Sequence, residues 1–92
     1  MQILQTNTFK KVIKKLHDNQ KINVDEAIKQ IISNPLIGEE KVGDLASVRV
    51  YKFYVVNQLL LLAYKYEKVS NSIILLALST HENFYRDLKA QL

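Results

Sequence analysis

The chain contains no cysteine. That excludes a disulfide framework and a thiolate metal site, and it fits a reducing compartment, so a cytoplasmic location is expected. It lacks long hydrophobic runs. A stretch such as Leu59–Ala63 is far too short to span a bilayer, so no membrane association is expected. The opening residues, MQILQTNTFKK, hold no apolar core of the kind a secretory signal needs. Internal repeats, low-complexity segments and domain linkers are also missing. With 92 residues, the chain has room for one domain, 1–92, around one hydrophobic core.

What is present is ordinary globular composition, 48% hydrophobic and 24% charged, with a basic bias of +4 and a pI near 9.4. A basic balance permits a polyanionic partner without requiring one. The bias is uneven. Up to Asn34 there are six lysines (Lys10, Lys11, Lys14, Lys15, Lys21, Lys29) against Asp18, Asp25 and Glu26.

Gln2–Gln5 reads as a short terminal strand. Thr6, Asn7 and Thr8 are N-cap candidates for a helix whose apolar positions Phe9, Val12, Ile13 and Leu16 recur at helical spacing. Lys10, Lys11, Lys14 and Lys15 take the other face. Asp18-Asn19-Gln20 is read as a break. A second helix is then expected from Asn23, with Glu26 completing a capping box and Val24, Ala27, Ile28, Ile31 and Ile32 as its stripe. Asn34-Pro35 ends it, because a residue before proline resists helical backbone angles. Leu36–Gly43 reads as a loop.

Beyond Asp44 the period changes. Val48–Val56 is rich in β-branched and aromatic residues, Leu59–Tyr66 and Ile73–Leu78 follow, and Asn57-Gln58 and Val69-Ser70-Asn71 are the turns. Short links between strands predict an antiparallel meander. His81–Gln91 reads as a closing helix, with Ser79 and Glu82 as its capping box. The expected class is α+β. A two-helix hairpin packs on one face of a three- to four-stranded, mainly antiparallel sheet, and the opposite face is left free to bind.

Several segments, in this order, resemble toxins of the RelE/ParE superfamily from type II toxin–antitoxin modules. Asn34-Pro35-Leu36-Ile37-Gly38 is similar to the family's N-P-x-x-G loop. Gly43-Asp44-Leu45 precedes a basic and aromatic strand, Val48-Arg49-Val50-Tyr51-Lys52-Phe53. Leu60-Leu61-Leu62-Ala63-Tyr64 is similar to the central L-L-I-Y strand. Ser79-Thr80-His81-Glu82-Asn83-Phe84-Tyr85 is similar to the G-S-H-x-x-L-F end of the YafQ-type branch. The resemblance implies a RelE-like fold and a cognate antitoxin. It also implies ribosome-dependent cleavage of mRNA without metal or cofactor or, in the ParE branch, inhibition of DNA gyrase.

RNA cleavage needs a base for the 2′-hydroxyl proton, cations at the phosphorane, and an acid for the leaving oxygen. Histidine suits this, because its pKa of about 6.5 leaves both forms available. His81 stands where the YafQ-type pattern carries its catalytic histidine. Tyr85, one helical turn later, stands at that pattern's aromatic and is expected to stack a base or line the pocket. The resemblance places Lys52 and Tyr54, which share one strand face by parity, on the RNA side. The catalytic set is thus His81, Tyr85 and Lys52. The RNA-binding set is Lys65, Tyr54 and Arg49, although Arg49 has the opposite parity to Lys52 and is equally a candidate for the sheet edge or the antitoxin. Two departures stand out. Leu61 occupies the position of the RelE-type arginine, and Tyr54, Leu61 and Lys65 stand where YafQ-type members carry further His or Asp.

Overall fold

The computed structural model describes residues 1–43, 47–81, 83 and 84. Element order is β1 (Gln2–Gln5), α1 (Asn7–Lys14), α2 (Asp18–Ser33), β2 (Glu39–Glu40), β3 (Arg49–Val55), β4 (Gln58–Glu67) and β5 (Ser72–Thr80). The strands form one five-stranded sheet in the order β1-β5-β4-β3-β2. β1 runs parallel to β5 and the remaining pairs are antiparallel, so the sheet is larger and more mixed than a meander with one extra strand.

Helix α1 starts where a cap is available. Thr6 Oγ1 accepts the Phe9 N–H at 3.1 Å and donates to the Leu76 carbonyl at 2.9 Å. That second bond matters because Leu76 is the extra residue of a β-bulge. Ala63 pairs with Ala77, but Tyr64 already pairs with Leu75. The bulge re-aims β5, so Leu75 and Leu78 face the helices and Leu76 and Ala77 face away.

Helix α2 begins five residues before the expected Asn23. His17 is its N-cap and its backbone N–H is accepted by the Gln20 side chain at 2.9 Å. Asn23 instead lies inside the helix and donates to the Asn19 carbonyl. Asp18-Asn19-Gln20 is therefore the first turn of a helix, its acid near the positive end of the helix dipole.

The predicted loop after Pro35 contains β2. Glu39 pairs with Val50 and Glu40 with Arg49. Ser79, expected as a helix cap, lies within β5 opposite Leu61, because backbone pairing with β4 continues through Thr80. Of the expected closing helix, His81–Gln91, residues 82 and 85–91, Tyr85 included, lie outside the described residues. No helix among the described residues is long and apolar enough to cross a membrane.

Two apolar clusters lie on opposite faces of the sheet. Phe9, Val24, Ala27 and Ile31 of the helices pack on Leu60, Leu62, Tyr64, Ile73 and Leu75. On the other face Val48, Val50, Leu61, Ala63, Leu76, Ala77 and Phe84 form a second cluster. The face expected to be free is therefore partly core. Leu61 is 1% exposed there, which accounts for an apolar residue in that row: an arginine would bury its charge.

Candidate functional site

Among the described residues, the outward face has a polar margin at the end of the sheet near the β3–β4 turn. Strand register defines it. Lys52 pairs with Leu61 and Leu61 with Ser79, so the three form one row across β3, β4 and β5. Tyr54 pairs with Leu59 in the next row towards the turn. His81 follows Thr80, the last residue of β5, and lines a cleft of about 310 Å³ with Asn57, Leu59 and Thr80. Strand spacing and rise put the Lys52 and His81 backbones roughly 12 Å apart. That gap is one that a lysine and an imidazole can close around a phosphate. Both side chains are exposed, and neither has a hydrogen-bond or ion-pair partner among the described residues.

The other candidate residues are dispersed. Tyr54 is 66% exposed and stands at the sheet margin, where it also borders a groove between β3 and α2. Lys65 shares the outward face but pairs with Ile74, four residues along β4 from Leu61, so about 13 Å separates its row from that of Lys52. It is half-buried at the opposite end.

Arg49 is on the helix-side face. Its guanidinium donates to the carbonyls of Leu36, at 3.2 Å, and Gly38, at 2.8 Å, and pairs with Glu40 at 3.7 Å. It braces the loop that holds Asn34-Pro35-Leu36-Ile37-Gly38. A cleft of about 450 Å³ lies beside it, bordered by Pro35, Tyr66 and Lys68. That cleft holds no histidine, and its arginine is already engaged.

Sequence reasoning did not single out Tyr64. Its hydroxyl donates to the Pro35 carbonyl at 2.7 Å and accepts the Gly38 N–H at 2.9 Å. Burial raises its pKa, opposed by the Gly38 hydrogen bond and the Arg49 charge. A Cβ on Gly38 would come within 2.8 Å of the Tyr64 ring and hydroxyl, so the loop's glycine is required by close approach. The signal was available: a tyrosine inside an apolar strand needs a partner for its hydroxyl.

The order of strands and the braced Asn-Pro-x-x-Gly loop define the class of the fold, a small α+β domain with a two-helix layer on a mixed five-stranded sheet. The family model described as ParE-like toxin of type II bacterial toxin-antitoxin system matches residues 3–89, and the chain belongs to that family. It is a type II toxin–antitoxin toxin of the RelE/ParE superfamily.

Solved structures carry the same fold at low identity. A doubly substituted Escherichia coli RelE toxin in the free state matches at TM-score 0.77 and 12% identity, over 99% of this chain and 96% of that one. The toxin–antitoxin complex RelBE2 of Mycobacterium tuberculosis matches at 0.74 and 18%, over 87% and 96%. The intact E. coli RelBE toxin–antitoxin complex matches at 0.69 and 13%, over 86% and 94%. No curated protein sequence matches the chain.

Proposed function

We propose that the chain is an mRNA endoribonuclease acting on ribosome-bound message, with His81 as its reactive group. The observation that carries this reading is the placement of His81. It is exposed, unpartnered among the described residues, and stands at the same margin as Lys52 and Tyr54.

In this reading neutral His81 takes the 2′-hydroxyl proton. The 2′-oxygen attacks phosphorus, the bond to the 5′-oxygen breaks, and that oxygen takes a proton from water. The products are a 2′,3′-cyclic phosphate and a 5′-hydroxyl end. The Lys52 ammonium stabilises the charged phosphorane. Tyr54 offers an aromatic face to a neighbouring base, and Tyr85 is assigned the same stacking role. Arg49 is assigned to the loop and Lys65 to a peripheral contact. A base of this kind contributes about 10²- to 10⁴-fold, so His81→Ala should suppress cleavage by that factor while the protein stays folded.

A second reading is favoured by one observation. The row between Lys52 and Ser79 is closed by buried Leu61, so Lys52 is the one cation that β3 and β4 place in the rows near His81. Thin charge at the phosphate suits a gyrase inhibitor that binds without chemistry. It predicts lost supercoiling with intact message.

Under either reading the partner is a cognate antitoxin, as in the RelBE complexes that share this fold.

A further inference from the structure

The His81 cleft does not end at His81. Gln58 and Thr80 line it, and the same two residues line a second cleft, of about 330 Å³, on the helix side of the sheet end. The two clefts thus adjoin at Gln58 and Thr80, at the end of β4 and β5, and are taken together as one trough, of which the helix-side cleft is the inner part. Its floor is apolar, from Val12, Leu16, Leu60 and Leu78. Its rim carries amides and hydroxyls, from Gln20, Gln58, Ser79, Thr80 and Asn83.

This is the chemistry of a nucleobase site: an apolar surface for the ring, and side chains that offer both a donor and an acceptor to its edge. Gln58 stands where the two clefts join. It is exposed, and its side-chain amide makes no hydrogen bond among the described residues. Val12 and Leu16 bring the trough up to α1, whose opposite face carries Lys10, Lys11, Lys14 and Lys15. All four are exposed, and none has an ion-pair partner among the described residues. The strip thus offers free positive charge to a strand lying along the helix.

We infer that this trough holds one nucleobase of a single-stranded RNA, next to the nucleotide presented to His81, and that Gln58 sets which base is accepted. The lysines of α1 hold the phosphates beyond it. The inference rests on the proposed nuclease reading for the register of the strand, but the trough can be tested without cleavage.

The experiment has two arms. In cells, message ends produced by the wild-type toxin and by Gln58→Leu are mapped. The wild-type ends should show a base preference of about tenfold at one flanking position, falling below about twofold in the variant. In solution, His81→Ala protein with and without Gln58→Leu is titrated with four short single-stranded RNAs that differ at one base. Affinities should differ between the RNAs with Gln58 present and converge once Gln58→Leu is added. Thermal unfolding of each variant confirms that it is folded. If no message is cut but discrimination depends on Gln58, the nuclease reading fails and the trough stands. If the base preference, in ends or in affinity, is the same in Gln58→Leu as with Gln58 present, or if no RNA is discriminated, the trough assignment is overturned.

Discussion

The Tyr64 hydroxyl accepts the Gly38 N–H at 2.9 Å, joining the middle of β4 to a loop 26 residues earlier. The same oxygen donates to Pro35, so one side chain closes the Asn-Pro-x-x-Gly loop from both ends. The contact is tight enough to set the residue type at position 38.

Gly38→Ala should destabilise the fold by about 1–3 kcal/mol, because the new methyl would overlap the Tyr64 ring in a packed site. A lower urea midpoint with an unchanged slope would report it. An unchanged midpoint would mean that the ring moves aside at little cost.

Tyr64→Phe should cost about 1–3 kcal/mol at neutral pH, because it removes the acceptor of a buried amide. The variant should also respond differently to alkali. Burial raises the Tyr64 pKa above its ordinary value of about 10. The unfolded chain then ionises first, so this contribution is complete below pH 10 and is lost as pH rises through the folded value. Stability measured from pH 8 to 11 should fall less steeply in Tyr64→Phe than in the wild type. Parallel curves would contradict the assignment.

Arg49→Ala should act on stability rather than on RNA. Its guanidinium is committed to the Leu36 and Gly38 carbonyls, and its partial exposure limits the loss to about 1–2 kcal/mol. Lys52→Ala should do the opposite, lowering cleavage roughly 10²-fold with little change in unfolding temperature. Comparable effects of the two substitutions on RNA cleavage would undo the distinction between the two faces.

Val56, in the β3–β4 turn, has φ +58, a left-handed conformation that a β-branched side chain adopts only at a cost. Its side chain is 79% exposed, so little packing offsets that cost. Val56→Asn should stabilise the fold by about 1 kcal/mol and raise the Tm by roughly 4–8 °C. A lower Tm would show that the valine has a packing role.

Much of this architecture was readable from residue pattern. Helix α1 follows from Thr6 and the Phe9–Leu16 stripe, because capping and helical period are local properties. The three long strands and the turn at Asn71 follow from β-branched content and punctuation. Strand parity put Lys52 and Tyr54 on one face and Arg49 on the other, as the register has them. What pattern could not supply depends on distant partners. β2 consists of two glutamates with poor strand propensity, and it exists because Val50 and Arg49 offer their edge. The early start of α2 comes from a glutamine side chain bonding a histidine amide, a cap outside the usual Ser/Thr/Asp/Asn preference. The bulge at Leu76 and the second core around Leu61 arise only when β4, β5 and Phe84 meet. They decide how much of the outward face is left to bind, and so confine the candidate site to its margin.

The proposed activity is tested most directly at His81. Wild-type and His81→Ala toxins would be induced in matched cultures, with ribosome-associated message ends and plasmid supercoiling measured together. New message ends and normal supercoiling are predicted for the wild type, with loss of those ends in the alanine variant. Intact message with lost supercoiling, or undiminished cleavage by the alanine variant, would contradict the nuclease assignment.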